Sequence, residues 1–142
     1  MLVYDELTWR TIMRYIVLVS HGEYAYGLHS AIHMMTGKRQ DVISVGLLED
    51  ITADQFCELF IEKTEKIGPN DEVILLTDLA SGSPYKHATK VLEKKGVQKQ
   101  IVLAGVNMPM ALKAILSKDN ILDFSELRDT LLWEGKSGIE EC

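Results

Sequence analysis

The chain has 142 residues, 46% hydrophobic and 25% charged, which is enough for one buried core and too little for two ordinary domains. Its formal charge of −6, with arginine only at Arg10, Arg14, Arg39 and Arg128, argues against a nucleic-acid groove, because phosphate backbones are bound by an excess of cations. No apolar stretch is long enough to span a bilayer and the N-terminus lacks the blocks of a secretory signal, so a cytoplasmic location is expected.

Met1 to Ile12 carry no periodic pattern, whereas Met13-Arg14 abuts the first apolar run. Residues 1–13 are therefore expected to be an extension ahead of a start at Met13, or else a short helix packed on a domain spanning 14–142. That run, Tyr15-Ile16-Val17-Leu18-Val19, has the character of a strand buried on both faces and stops at Ser20-His21-Gly22. His21 thus emerges at the strand's carboxyl end, where open parallel sheets bind ligands. An imidazole gains and loses a proton near neutral pH, which makes His21 a candidate nucleophile or proton carrier.

Leu28, Ala31, Ile32 and Met35 then recur at helical spacing, with Gly37 as a stop. Val42-Ile43-Ser44-Val45 predicts a second strand. Thr52 and Gln55 have the spacing of a capping box, opening a helix with Phe56, Leu59, Phe60 and Ile67 inward and an end at Gly68-Pro69. A third strand, Val73 to Thr77, runs into Asp78 and then Leu79-Ala80-Ser81-Gly82-Ser83-Pro84, followed by a helix from Pro84 to about Lys95. Ile101 to Val106 predicts the fourth strand. Asn107-Met108-Pro109 leads into a helix from Met110 to Leu116, and a last helix near Ser125 to Trp133 precedes a tail from Gly135 to Cys142.

Strict alternation of strands and helices implies right-handed crossovers. The expected fold is a single doubly wound α/β domain with a mainly parallel four-stranded sheet and helices on both faces. If the first and third strands are adjacent, His21 and Asp78 meet at one rim, where a carboxylate holds the proton of one ring nitrogen and leaves the other to attack. The turn at Gly82 and Ser83 adds a hydroxyl, backbone N–H groups and the positive end of a helix, and Pro84 suits its first turn. Together these suit a phosphoryl group. An acid or a glycine after a strand is also ordinary loop material.

Three stretches in this order, Val19-Ser20-His21-Gly22, Thr77 to Pro84, and Ala104-Gly105-Val106-Asn107-Met108-Pro109-Met110, resemble the IIA component of the mannose-family (mannose, fructose, sorbose) sugar phosphotransferase system. The similarity covers Tyr15 to about Leu132. The resemblance implies a phosphoryl carrier: His21 accepts a phosphoryl group from the carrier protein HPr and passes it to a IIB component, with membrane IIC and IID components involved only indirectly. It makes Asp78 the orienting carboxylate, assigns phosphoryl binding to Gly22, Gly82 and Ser83, and leaves Asn107 and Pro109 to shape the site. No cofactor or metal is required. It further implies a homodimer, in which a short antiparallel C-terminal strand drawn from Ser137 to Glu141 is exchanged between subunits. Glu23 departs from members that place an aromatic residue there, and is expected to face solvent so as not to oppose a dianion.

Other residues carry weaker signals. His29 and His33 share a helix face at a spacing that holds zinc, but no third ligand accompanies them. His87 is a candidate for the rim and for partner contact. Cys57 reads as core, Cys142 as a terminal thiol, and Met34, Met35, Met108 and Met110 as packing. A histidine phosphatase would also begin with a strand ending in His-Gly, yet Ser20 occupies the place of its phosphate-gripping arginine. A regulatory phospho-acceptor and the phosphotransfer subunit of dihydroxyacetone kinase are the remaining alternatives; the lack of a DNA-binding or ATPase segment favours a free-standing transport component.

Overall fold

The computed structural model describes residues 3–5 and 10–142. At the N-terminus β1 (Tyr4–Asp5) pairs antiparallel with β2 (Arg10–Thr11). Those four residues are extended where a short helix was one of two expectations; residues 1–2 and 6–9 lie outside the described set. The hairpin is moored by Asp71, 1% exposed, which accepts hydrogen bonds from Arg10 (2.7 Å), the Met13 N–H (3.0 Å) and the Gly68 N–H (2.8 Å).

The main chain then alternates as the sequence implies: β3 (Arg14–His21), α1 (Tyr24–Thr36), β4 (Val42–Leu47), α2 (Ala53–Lys63), β5 (Glu72–Thr77), α3 (Ser83–Lys94), β6 (Lys99–Ala104), α4 (Met108–Ser117) and α5 (Phe124–Ser137). The four longer strands form one sheet in the order β4-β3-β5-β6, and every pairing is parallel. The chain winds outward from β3 to β4 and returns to the other side of β3 for β5. That reversal leaves a crevice between the carboxyl ends of β3 and β5, the place where doubly wound sheets bind ligands.

Alternation along β3 divides the core. Ile16 and Leu18 face α1, α4 and α5, while Tyr15, Val17 and Val19 face α2 and α3. Phe56 and Phe60 anchor the second face, wholly buried with ring centroids 6.2 Å apart. Burial of each such ring contributes about 1.5–3 kcal/mol before entropy is counted. Thr52 and Gln55 form the expected reciprocal capping box at the start of α2.

Several expectations need correction. α2 stops at Lys63, so Ile67, although buried, belongs to the turn that follows. Met34 and Met35 are 87% and 62% exposed instead of packed: α1 buries only the stripe Ala25, Leu28 and Ile32. α5 runs through Gly135 to Ser137, and no strand forms in 138–142 of the single chain. Gly135 is helical because α4 and α5 approach closely there; a Cβ on it would stand 2.7 Å from Met110 Cε.

Candidate functional site

His21 closes β3, and Asp78 directly follows β5, the adjacent strand, so backbone register alone carries both to one rim. Asp78 Oδ2 accepts from the His21 backbone N–H and contacts His21 Nδ1, each at 2.9 Å. Its Oδ1 accepts from the Leu79 N–H at 2.9 Å and from the buried Thr77 hydroxyl at 3.3 Å. Partial burial pushes the Asp78 carboxyl upward, but the hydrogen bonds from His21 backbone and ring and from Leu79, with the charge of His21, prevail and hold it below its ordinary value. Asp78 is therefore ionised at neutral pH and can only accept, so Nδ1 carries the ring proton and Nε2 presents a lone pair. The His21 side chain is 46% exposed, against 17% for Asp78, leaving Nε2 accessible and its orienting partner sheltered.

Gly82 lies against the far edge of the ring. A Cβ there would come within 3.0 Å of His21 Cε1 and 3.2 Å of Nε2, and its φ of +109° is one that only glycine adopts without strain. Gly82 is also the N-cap of α3, which has no side-chain cap, so the first-turn N–H groups of Ser83 and Tyr85 remain unpaired by the helix at the end facing His21. Pro84 occupies the first turn, where it removes no needed donor.

Gly22 behaves differently from the expectation. Its N–H donates to Leu47 O at 2.8 Å and is committed to the fold, while its φ of +55° makes the turn from β3 into α1. Asn107 caps α4, accepting from the Met110 N–H at 3.0 Å, and its amide donates to Gly135 O at 2.8 Å. It thereby ties the β6–α4 loop to α5. Pro109 packs under Gly138, where any Cβ would collide with its ring. Asn107 lines the rim itself, whereas Pro109 does not.

The rim bounds a cleft of about 630 Å³ formed by His21, Tyr24, Asp78, Leu79, Val106 and Ile139, among others. Tyr24 and Ser20 have structural roles around the rim that motif reading does not reveal. Tyr24 donates its hydroxyl to Val106 O at 2.6 Å and so braces α1 against the β6–α4 loop. Ser20 is fully buried, and its Oγ accepts the Ala25 N–H at 2.7 Å, capping α1 in place of Glu23, which makes no cap bond and is exposed. Only the step from strand end to helix start, five residues apart, hinted at this.

The remaining candidates lie elsewhere. His87 Nδ1 stands 3.4 Å from Cys57 Sγ, linking α3 to α2. His29 Nδ1 bonds the Ser44 hydroxyl at 2.6 Å, and among the described residues no group of three His, Cys, Asp or Glu is arranged to hold a metal ion. No helix among them is long and apolar enough to cross a membrane.

Comparison with known proteins bears on the family and the fold. A family model described as PTS system fructose IIA component, where PTS is the sugar phosphotransferase system, matches residues 15–132. The mannose-specific EIIAB component of Escherichia coli K12 is 26% identical over 125 residues, 88% of this chain but only 38% of that protein's length. The fructose-specific EIIA component of Bacillus subtilis is 24% identical over 127 residues, 89% of this chain and 85% of its own. The crystal structure of EIIA from Streptococcus agalactiae superposes with a TM-score of 0.78 at 22% identity, covering 91% of this chain and 97% of that one, a likeness of fold.

Proposed function

Because the chain belongs to the mannose-type IIA family of the sugar phosphotransferase system, we propose that it is a phosphoryl carrier in which His21 Nε2 is phosphorylated by HPr and dephosphorylated by a IIB component. The observation that carries this reading is the pair of 2.9 Å bonds from His21 to one carboxylate oxygen, which fix the proton on Nδ1 and the lone pair on Nε2. In the transfer, that lone pair bonds to phosphorus as the P–N bond of the donor phosphohistidine breaks and its electron pair returns to the donor ring. The Nδ1 proton stays in place, and Asp78 balances the positive ring that results. Phosphoryl transfer asks mainly for in-line positioning and charge stabilisation. Gly82 leaves room for the phosphoryl group, and the open first-turn N–H groups of α3 and the Ser83 hydroxyl supply donors to its oxygens. Gly22 serves through its turn.

A histidine phosphatase fits less well. Where that reading requires a phosphate-gripping side chain, Ser20 is buried and occupied by the Ala25 N–H. In the proposed role the protein works in the cytoplasm, in sequence with membrane IIC and IID components that it does not itself replace, and residues 14–142 form the operative domain. It acts as a homodimer, the commonest closed assembly; residues 138–142, coil in the single chain, are the segment available for strand exchange. Sedimentation at micromolar concentration reads this directly, and a monomer there removes the dimer.

Incubation with phosphoenolpyruvate, enzyme I and HPr should add one acid-labile phosphoryl group, read by intact-protein mass. His21→Ala should accept none. Full phosphorylation of that variant would overturn the assignment, and sustained release of phosphate from phosphomonoesters by the wild type would restore the phosphatase reading.

A further inference from the structure

Beside the first half of β4, away from the His21 rim, a cleft of about 440 Å³ lies between α1 and the end of α2. In a chain of net charge −6 it is lined by His29, His33, Lys38, Arg39, Lys63 and Lys66, and by no aspartate or glutamate. The size falls within the range of small-molecule sites. Several of its cations are held in place. Lys63 Nζ donates to Ser44 O at 3.1 Å and stands 4.7 Å over the Tyr26 ring, while Lys66 Nζ donates to Gln40 O at 2.6 Å and stands 5.6 Å over Tyr15. An ammonium has three N–H donors, so each lysine keeps donors beyond its carbonyl bond. His29, fixed through Nδ1 to the Ser44 hydroxyl, keeps Nε2 for another partner.

Arg39 is the exception, since Asp41 already receives it at 3.0 and 2.9 Å and Asp119 approaches it at 3.8 Å. Among the described residues, the cations of the cleft not tied to a carboxylate are therefore Lys38, Lys63 and Lys66. Gathering them costs repulsion that a bound anion relieves, and positions fixed beforehand lower the entropy lost on binding. The same surroundings act on His29, whose pKa is lowered first by burial and then by the charges of His33 and Lys63.

We propose that this cleft binds a small phosphorylated metabolite, through Lys38, Lys63, Lys66 and His29, at a site separate from the phosphoryl-transfer rim. Two features favour a small phosphoryl dianion over a protein surface: the cations line a concavity, and the donors are compact ammonium and imidazole groups suited to phosphate oxygens. The site is distinct from His21, because Ser44 pairs with Leu18 in the β3–β4 register whereas His21 pairs with Leu47, about 10 Å further along the strand.

Titration with inorganic pyrophosphate, followed by 15N–1H and histidine-ring NMR at constant ionic strength, tests this directly. Saturable shifts are expected at Lys38, Gln40 and Ser44, with the His29 ring titrating at higher pH in the complex; inorganic phosphate should act at the same residues more weakly. A Lys63→Gln/Lys66→Gln variant should weaken the affinity by about tenfold or more, and Lys38→Gln by less, while both accept phosphoryl groups from HPr at the wild-type rate. Shifts confined to the His21 rim, shifts equally produced by sodium chloride, or unchanged affinity in the melt-verified double variant would each overturn the site. The binding outcomes do not depend on whether His21 is the phosphorylated residue, so their failure and the failure of the transfer reading are separable.

Discussion

The two ends of the sheet use charge in opposite ways. At the amino end Arg14 meets Glu72 at 2.5 Å and donates to the carbonyl oxygens of Lys118, Ile121 and Leu122. Lys118, 2% exposed, lies 2.7 Å from Asp41 and 2.8 Å from Asp119. Arg14 and Lys118 are thus each held by several partners. At the carboxyl end the carboxylate is equally saturated, but His21 is half exposed and one ring nitrogen remains open. Saturated charge closes the fold, and the ring nitrogen left open is the one that the proposed transfer uses.

That contrast predicts separable failures. Lys118→Ala should have the largest effect, on stability: it removes a buried cation from Asp41, a change that costs about 3 kcal/mol, toward the low end for a buried pair because Arg39 still meets the carboxylate. Phosphoryl transfer in the surviving folded protein should be unchanged. Denaturant titrations and transfer rates decide this, and a protein slow in transfer yet normal in stability would erase the division between the two ends.

Asp78→Asn should do the reverse. The amide keeps the shape but permits the wrong ring tautomer and no longer balances the charged ring, so transfer from phosphorylated HPr should slow by about a hundredfold, equivalent to about 2.7 kcal/mol of barrier. The melting temperature should move little. Rapid-quench rates equal to wild type would leave His21 activated by something other than its carboxylate.

The smallest effect is on pH dependence. Asp41 has a folded pKa lowered from 3.8 to about 2: burial alone raises it, but Arg39 and Lys118 bring it down. A depressed folded pKa gives stability that is complete above about pH 4 and is lost as pH falls toward 2, about 2 kcal/mol in all. Asp41→Asn should flatten that acid limb without altering transfer at neutral pH. Asp78 is depressed in the same direction, so a residual slope should persist in the variant. Identical acid limbs for the two proteins would show that Asp41 is not the group that titrates.

The parallel sheet and the meeting of His21 with Asp78 were legible because apolar runs of period-independent burial end abruptly at polar residues, and adjacent parallel strands bring such ends together. Ser20, Asn107 and Tyr24 were not legible in their structural roles. A buried hydroxyl that caps a helix five residues away, an amide that bridges α4 to α5, and a phenol reaching a carbonyl 82 residues along the chain depend on backbone positions that only the folded core creates. The phosphoryl-binding role that the resemblance implies for Gly22 could not be weighed from sequence, because only the fold brings Leu47 O to its N–H. Likewise the C-terminal helix passes through Gly135, where the sequence reading begins the tail, despite glycine's low helix propensity.

The position of β3 also shapes how the molecule is made. Of the four strands of this sheet it is the first to leave the ribosome, yet it lies inside the sheet between β4 and β5. Its opening residue, Arg14, finds Glu72 only 58 residues later and its carbonyl partners 104 to 108 residues later. This apolar strand must therefore wait until the chain has been made through Thr77, just over half of the 142 residues, before both its edges are covered. Non-local closure of this kind folds more slowly than local helix pairing. The nascent chain is most exposed to aggregation while β3 and β4 are paired and β5 is still to come, and the arrival of Lys118 and Leu122 completes the latch on Arg14.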